Sequence, residues 1–431
     1  MNYQESRAYV DEVAKYGSVL GLANMTELMK RLGNPQDTLQ YVHVAGTNGK
    51  GSVITYLYTT LTEAGYRVGR YISPTLYTYR ERLEAAGEQI TREEFAECVT
   101  EVSESIRTMV QDGLAHPTPF EIETAAAFLY FQKKQCELVI MEVGMGGNLD
   151  ATNIITTTKL AVLTSISLDH QAFLGNTVVE IAEKKSGILK PGCEAVSTVQ
   201  KPEVLEVLEK QASSLKIPYF LADHREAKSL SESLTGQIFS WKGETYQISL
   251  AGVCQIENAV LALQSLECLH HLGFPTTLQQ RKEGLKKTVW NGRFTVIHEK
   301  PYIIVDGAHN PGAAEKLAQS IEHYLHGKRI FYIMGVFRDK DYDTVIRTTY
   351  SYAEKIWTIE TPGNARALPA KELAEAVRNY HPDVTAADSI EDALTDALAN
   401  AGPEDVILTF GSLSFIGVLT AVVKEMEIEN G

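Results

Sequence analysis

Cysteine is scarce and unpatterned here: five residues in 431, at Cys98, Cys136, Cys193, Cys254 and Cys268, with no CxxC spacing. An odd, scattered set excludes a disulfide framework and fits reduced, mostly buried thiols in a cytoplasmic protein. Long apolar runs are missing as well. No stretch approaches the roughly 20 apolar residues that span a bilayer, and Met1 to Lys15 alternates charged and apolar residues where a signal peptide would carry an apolar core. Nor is there an excess of positive charge. Forty Lys and Arg against fifty-five Asp and Glu leave a formal charge of −15, with a pI near 5.3, which argues against nucleic acid as the main partner. Repeats and low-complexity tracts are absent too. The expectation is a cytoplasmic monomer with no membrane or nucleic-acid partner.

What is present is ordinary for a soluble globular protein: 44% hydrophobic and 22% charged residues. A chain of 431 residues exceeds what one core organises, so two or three domains are expected. Short β-branched runs alternate with helical-period segments, the pattern of a parallel α/β sheet. The runs predict strands at Tyr41–Ala45, Leu138–Glu142, Leu160–Ile166, Tyr302–Val305, Ile330–Gly335, Lys355–Ile359 and Val406–Phe410. Glu203–Leu215 and Gln255–Leu272 read as helices, the second ended by Gly273 and Pro275. Gln237–Leu250 reads as a hairpin turning at Lys242-Gly243. A new βα series starts after Trp290-Asn291-Gly292-Arg293. The predicted division is therefore a nucleotide-binding domain over 1–296 and a smaller α/β domain over 297–431.

The segment Gly46-Thr47-Asn48-Gly49-Lys50-Gly51-Ser52 lies between a strand and a helix running to about Ala64. Glycines let backbone N–H groups turn inward around phosphates, and the helix N-terminus adds partial positive charge. Lys50 is placed to reach the β/γ-phosphates and Ser52 to face Mg²⁺. The spacing departs from the common phosphate loop, with two residues between Gly46 and Gly49 and Gly51 before Ser52. Glu142 ends an apolar strand and is followed by the glycines of Val143–Asp150, so a carboxylate meets open space where α/β sheets bind ligands; oxygen ligands suit Mg²⁺. The next strand leads to Asp169-His170. His170 alone reads as a capping or core histidine, and beside a magnesium site it becomes a candidate ligand. Thr118-Pro119-Phe120-Glu121 starts a helix with a capping box, and Phe120 is either a staple or a wall for a planar ligand. In Asp306-Gly307-Ala308-His309-Asn310-Pro311, Asp306 and His309 either contact a ribose or phosphate or cap the following helix. Arg338-Asp339-Lys340-Asp341 reads as a solvated charged loop, and Glu183-Lys184-Lys185 by itself as a surface charge run.

Together these strings resemble the Mur ligase superfamily and, within it, the folylpolyglutamate synthase/dihydrofolate synthase branch. The resemblance runs through Leu20-Gly21-Leu22, Arg31–Pro35, the phosphate loop, Ser73-Pro74, Glu81-Arg82 and Glu142–Gly147. It continues through Asp150–Asn153, Leu168–His170, Lys185–Ile188, Gln255–Ala259, Gly292–Phe294, Asp306–Pro311 and Gly411–Leu413. Thr75, Cys254 and Ser186 depart from it, standing where His, His and Ala are usual.

It implies a P-loop-type parallel-sheet domain followed by a smaller Rossmann-like α/β domain, with ATP and Mg²⁺ in the cleft between them. The implied reaction joins L-glutamate to a folate or to dihydropteroate through an acyl phosphate. Gly49, Lys50, Gly51, Ser52, Asn258, Arg293, Asp306 and His309 are expected at ATP. Ser52, Ser73, Glu142, His170 and a carbamylated Lys185 are expected at the metal, with Lys50, His170 and Lys185 as the catalytic set. Thr118–Glu121 and Leu149, Asp150 and Ala151 match the pteroate-binding segments, and glutamate is expected near Ser412. Two alternatives stand beside this reading: another Mur-type amino-acid ligase, and a non-ligase P-loop nucleotide-binding protein.

Overall fold

The computed structural model describes residues 1–13 and 21–430; Leu20 lies outside them. An eight-stranded sheet is built from β1 (Tyr41–Ala45), β2 (Val68–Tyr71), β3 (Leu83–Ala85), β4 (Glu88–Gln89), β5 (Leu138–Glu142), β6 (Thr158–Leu163), β7 (Glu194–Thr198) and β8 (Tyr219–Ala222). Its order is β4-β3-β2-β5-β1-β6-β7-β8. Pairing is parallel from β2 to β8, and β3 and β4 turn back antiparallel at one edge. β1 and β5 are buried along their whole length, as parallel strands covered by helices on both faces must be. One face packs on helices α1 (Lys50–Glu63) and α4 (Gln255–His271). The other packs on Arg92–Gln111 and α2 (Pro119–Lys133). Helix α3 (Val178–Ser186) lies against β6 and β7.

The strand order positions the chemistry. β5, β1 and β6 are neighbours and run parallel, so the turns after Glu142, Ala45 and Leu163 emerge side by side at their carboxyl ends. β6 stops at Leu163, short of the expected Ile166, because the next residues are taken up by the phosphate loop. The Thr47 and Asn48 N–H groups donate to the Ser165 carbonyl at 2.8 and 3.3 Å.

A three-stranded antiparallel sheet of β9 (Lys228–Ser233), β10 (Gly236–Trp241) and β11 (Glu244–Ile248) covers one flank. Its β10–β11 turn at Lys242 and Gly243 has φ of 49° and 83°, the left-handed pair that a two-residue hairpin of this type requires.

The second large sheet contains β12 (Thr295–Glu299), β13 (Tyr302–Val305), β14 (Ile330–Met334), β15 (Lys355–Thr358), β16 (Val384–Ala386) and β17 (Val406–Phe410), in the order β12-β13-β17-β14-β15-β16. It has apolar clusters on both faces, with α5 (Pro311–Tyr324) on one and α6 (Leu413–Asn430) on the other. Residue 296, where the sequence placed the division, falls inside β12. Strands β2, β3, β4, β7, β8, β9, β12 and β16 were not read from the sequence. Several carry mixed or exposed burial that dilutes the apolar signal, and β3, β4 and β16 are only two or three residues long. Among the described residues no helix is long and apolar enough to cross a membrane.

Candidate functional site

The phosphate loop leaves β1 with Gly46 at φ 153° and reaches α1 through Gly49 at φ 88°, the N-cap of that helix. Each glycine clears space for a named neighbour. A Cβ on Gly46 would overlap the Thr164 hydroxyl, one on Gly49 would stand 2.5 Å from Asn258 Oδ1, and one on Gly51 would run into the Trp290 ring. Gly51, the residue that breaks the usual loop spacing, is therefore the place where the Trp290 indole lies against the helix start. Ser52 is buried, with Gln255 Nε2 donating to its hydroxyl at 3.5 Å. Asn258 donates to Gln255 Oε1 at 3.1 Å. Helix α4 thus brings Asn258 and Gln255 to the loop, far from it in sequence.

Two ammonium groups converge on one carbonyl. Lys50 Nζ donates to the Gly46 oxygen at 3.2 Å and to the Thr47 oxygen at 3.4 Å, and Lys185 Nζ donates to the same Gly46 oxygen at 2.9 Å. Lys185 is 5% exposed, so the surface charge-run reading of Glu183–Lys185 is corrected: the last turn of α3 turns this lysine inward. Burial first, and then the Lys50 charge, push its ammonium down to about 7. Glu142 is also buried. Its Oε2 accepts the Ser73 N–H at 2.9 Å and its Oε1 lies 3.7 Å from Lys50 Nζ. Burial raises this carboxyl, and Lys50 only partly offsets that.

The turn after β6 carries Asp169 and His170, and here the sequence missed the most. Lys340 Nζ donates to Asp169 Oδ1 at 2.6 Å, with side chains only 8% and 10% exposed. The solvated reading of Arg338–Asp341 holds for Arg338, 57% exposed, and Asp339, 46% exposed, but not for Lys340, which reaches from the second domain into the first. Asn310 Nδ2 also donates to Asp169, at 3.1 Å, and Asn310 exchanges a reciprocal amide pair with Asn48 at 3.1 Å each way. His309 Nε2 lies 3.7 Å from Asp169. Burial raises Asp169, but the His309 hydrogen bond and the Lys340 charge outweigh it and hold the carboxyl well below its ordinary value. His170 takes a left-handed conformation, φ 50°. Its backbone N–H donates to Asp169 Oδ1 at 2.8 Å, and burial pushes its ring down to about 4.

In the second domain, Asp306 is half-buried and accepts the Phe294 and Ala308 N–H groups at 2.8 Å each. Burial raises it and Arg293 opposes the rise. Neither Asp306 nor His309 caps the next helix; Asn310 does, accepting the Ala313 N–H at 2.9 Å. His309 Nδ1 pairs with the Gly307 carbonyl at 2.8 Å. Arg293 Nη1 donates to the Gly292 carbonyl at 3.0 Å. Ser412 follows β17 and accepts the Ser414 N–H at 3.2 Å, opening α6.

The candidate acceptor segments border the same centre. Thr118 and Glu121 form the expected capping box, with Pro119 at the first helical position. The Phe120 ring lies over Gly144, where a Cβ would stand 2.5 Å from its Cζ, and near Tyr71 at 6.2 Å between centroids. Phe120 thus forms a wall beside the glycine turn. Asp150 is buried and occupied, accepting from Met145 N–H at 2.8 Å and Thr152 N–H at 3.0 Å. Ala151 is buried and Leu149 is 43% exposed.

Among the described residues no group of three or more His, Cys, Asp and Glu is placed to hold a metal. The donors beside the loop are one under-compensated buried carboxylate, Glu142, with the hydroxyls of Ser52 and Ser73. A sparse oxygen set beside a glycine-rich loop of the phosphate-binding type fits Mg²⁺, which keeps waters and takes phosphate oxygens.

The profile of the Mur ligase middle domain matches residues 44–266, and that of the Mur ligase, glutamate ligase domain, matches 292–413. The chain is 35% identical to a dihydrofolate synthase/folylpolyglutamate synthase of Bacillus subtilis, over 98% of this chain and 99% of that one. It is 31% identical to the folylpolyglutamate synthase of Lacticaseibacillus casei, over 96% of each. Among solved structures, Mycobacterium tuberculosis folylpolyglutamate synthase complexed with ADP and AMPPCP superposes with a TM-score of 0.86 at 28% identity, covering 99% of both chains. E. coli FolC in complex with DHPP and ADP does so with a TM-score of 0.85 at 28% identity, over 100% of this chain and 99% of that one.

Proposed function

The chain belongs to the Mur ligase family, and from that premise we propose that it is an ATP-dependent folylpolyglutamate synthase that also accepts dihydropteroate. It adds L-glutamate to a folate carboxylate. The observation that carries the reading is the convergence on the Gly46–Ser52 loop of Lys50, Lys185 and Glu142 from the first domain, closed over by Lys340, His309 and Asn310 from the second.

In the proposed reaction a carboxylate oxygen of the acceptor attacks the γ-phosphorus of ATP. ADP leaves and an acyl phosphate forms. The glutamate amine then attacks the acyl carbon, giving a tetrahedral intermediate that expels inorganic phosphate, while the amine proton passes to solvent. The protein's part is positioning and charge neutralisation. The loop amides and Lys50 hold the phosphates. Asn258 holds the nucleotide beside the loop, and Arg293, Asp306 and His309 hold it from the far side of the cleft. Ser52, Ser73, Glu142, His170 and a carbamylated Lys185 would hold Mg²⁺, which neutralises phosphate charge when bound. The carbamate supports itself physically. The neutral Lys185 amine adds to CO₂ with loss of a proton, and its new negative charge turns the repulsion with Lys50 into attraction. Thr118–Glu121 and Leu149–Ala151 border the acceptor, with the Phe120 ring as its wall, and glutamate sits near Ser412. Residues 1–296 carry the phosphate loop and acceptor, and 297–431 carry glutamate and contribute Asp306 and His309 to the nucleotide, in a cytoplasmic monomer.

The test is the dependence of ADP release on both co-substrates. The reading requires that release need L-glutamate and a folate or dihydropteroate acceptor. Turnover that needs neither would assign the site to a nucleotide switch instead.

A further inference from the structure

The segment joining β2 to β3, Ser73 to Arg82, begins and ends in the first domain, but its middle lies on the second. Leu76 packs into the apolar cluster beneath α6. Its side chain lies close to Gly292, where a Cβ would stand 3.0 Å from Leu76 Cδ1 and 3.2 Å from Leu413 Cδ2. The Leu76 carbonyl oxygen approaches Gly417 so closely that a Cβ at that position would overlap it. Tyr77 continues the contact, its hydroxyl interacting with the Thr420 and Asn291 side chains. The same segment is tied to the first domain at both ends. Ser73 N–H donates to Glu142 Oε2 at 2.9 Å, and Arg82 pairs with Glu123 at 2.9 Å. Between them the Glu81 carboxylate accepts the N–H groups of Leu76, Tyr77 and Thr78 at 2.9, 3.1 and 2.7 Å, which ties the turn's own backbone together.

Glycine is a poor helix former, and Gly417 sits in the second turn of α6 without a positive φ to explain it. The close approach of the Leu76 backbone does explain it.

We propose that Gly417 is a positioning residue for ligation. By lacking a side chain it lets the Ser73–Arg82 turn lie flat on α6, so the second domain sets where Ser73 stands against Glu142. Bringing the domains together and seating this turn are then one event. The proposal depends on the ligase reading only for its kinetic readout.

The experiment compares Gly417→Ala, Leu76→Ala and the control Val418→Ala, whose parent residue is 41% exposed on the same helix. Melting temperature, AMPPCP affinity, kcat and acceptor KM are measured, together with amide exchange at Leu76, Tyr77 and Thr78. Gly417→Ala should still melt cooperatively, but somewhat below the wild type, because displacing the packed turn costs more than the helix preference of alanine returns, and it should bind AMPPCP normally. Its kcat should nevertheless fall about a hundredfold, the scale of an approximately 1 Å misplacement, and the three amides should exchange faster. Leu76→Ala should move the same readouts in the same direction, and Val418→Ala should leave them unchanged. Wild-type kcat and exchange in Gly417→Ala would overturn the proposal. So would a loss of activity accompanied by lost AMPPCP affinity or non-cooperative melting, which would mark general damage. If the wild type itself ligates nothing, the functional reading fails while exchange and melting still decide the coupling.

Discussion

At the scale of single residues, the site is governed by unfavourable electrostatics held in place by packing. Lys50 and Lys185 share the Gly46 carbonyl, and burial together with their mutual repulsion favours loss of charge at one of them. Lys185 is the buried one, so it is the one whose ammonium falls to about 7. Lys185→Ala should therefore lose about two orders of magnitude in kcat, the cost of removing a preorganised charge from such a site. Added formate or acetate should restore part of that loss. Full activity in the variant without them would remove the carbamate from the account. Lys50→Ala should abolish ligation yet melt like the wild type, since its ammonium lies at the loop rather than in the core; near-normal kcat would exclude the phosphate role. Lys50, Glu142 and His170 were legible in the sequence because each closes a motif at a strand end. Lys340 was not, because a charge run looks the same whether one member is buried or all are solvated.

At the scale of elements, local chemistry written in short motifs survived folding best. The Thr118–Glu121 capping box, Pro119 and Pro311 at helix starts, and the Lys242-Gly243 turn formed where the residues require. Element ends set by distant partners did not. β6 ends early because Ser165 pairs with the phosphate loop; at α5 the cap is local but is Asn310, not Asp306 or His309. Asn310→Ala should cost about 1 kcal/mol as a lost cap, seen as reduced stability in denaturant unfolding. It should also lower kcat, because the same side chain bridges to Asn48 and Asp169. A variant that loses stability alone would reduce Asn310 to a cap.

At the scale of the whole molecule, the two α/β domains were legible from alternating periodicity, whereas their closure was not, since no local pattern records which loops meet across a cleft. Closure here joins the apolar seat of Leu76 on α6 to a set of polar contacts, Lys340–Asp169 at 2.6 Å foremost among these. Ion pairs that bridge bodies this buried lose much when one partner is removed. Lys340→Ala and Arg293→Ala should both impair nucleotide use and leave the AMPPCP-bound protein more extended in small-angle scattering; unchanged scattering and unchanged ATP kinetics in both would contradict the closed-cleft account. An amide bond formed between glutamate and a folate acid at the expense of ATP is identified by its products. The protein is incubated with ATP, Mg²⁺, L-glutamate and either tetrahydrofolate or dihydropteroate, the acceptor carboxylate carrying heavy oxygen, and the mixture is read by mass spectrometry. The expected products are an acceptor one glutamate heavier and released phosphate that carries heavy oxygen. Phosphate without the label, or ATP consumed with no glutamylated product from either acceptor, would contradict the ligase reading.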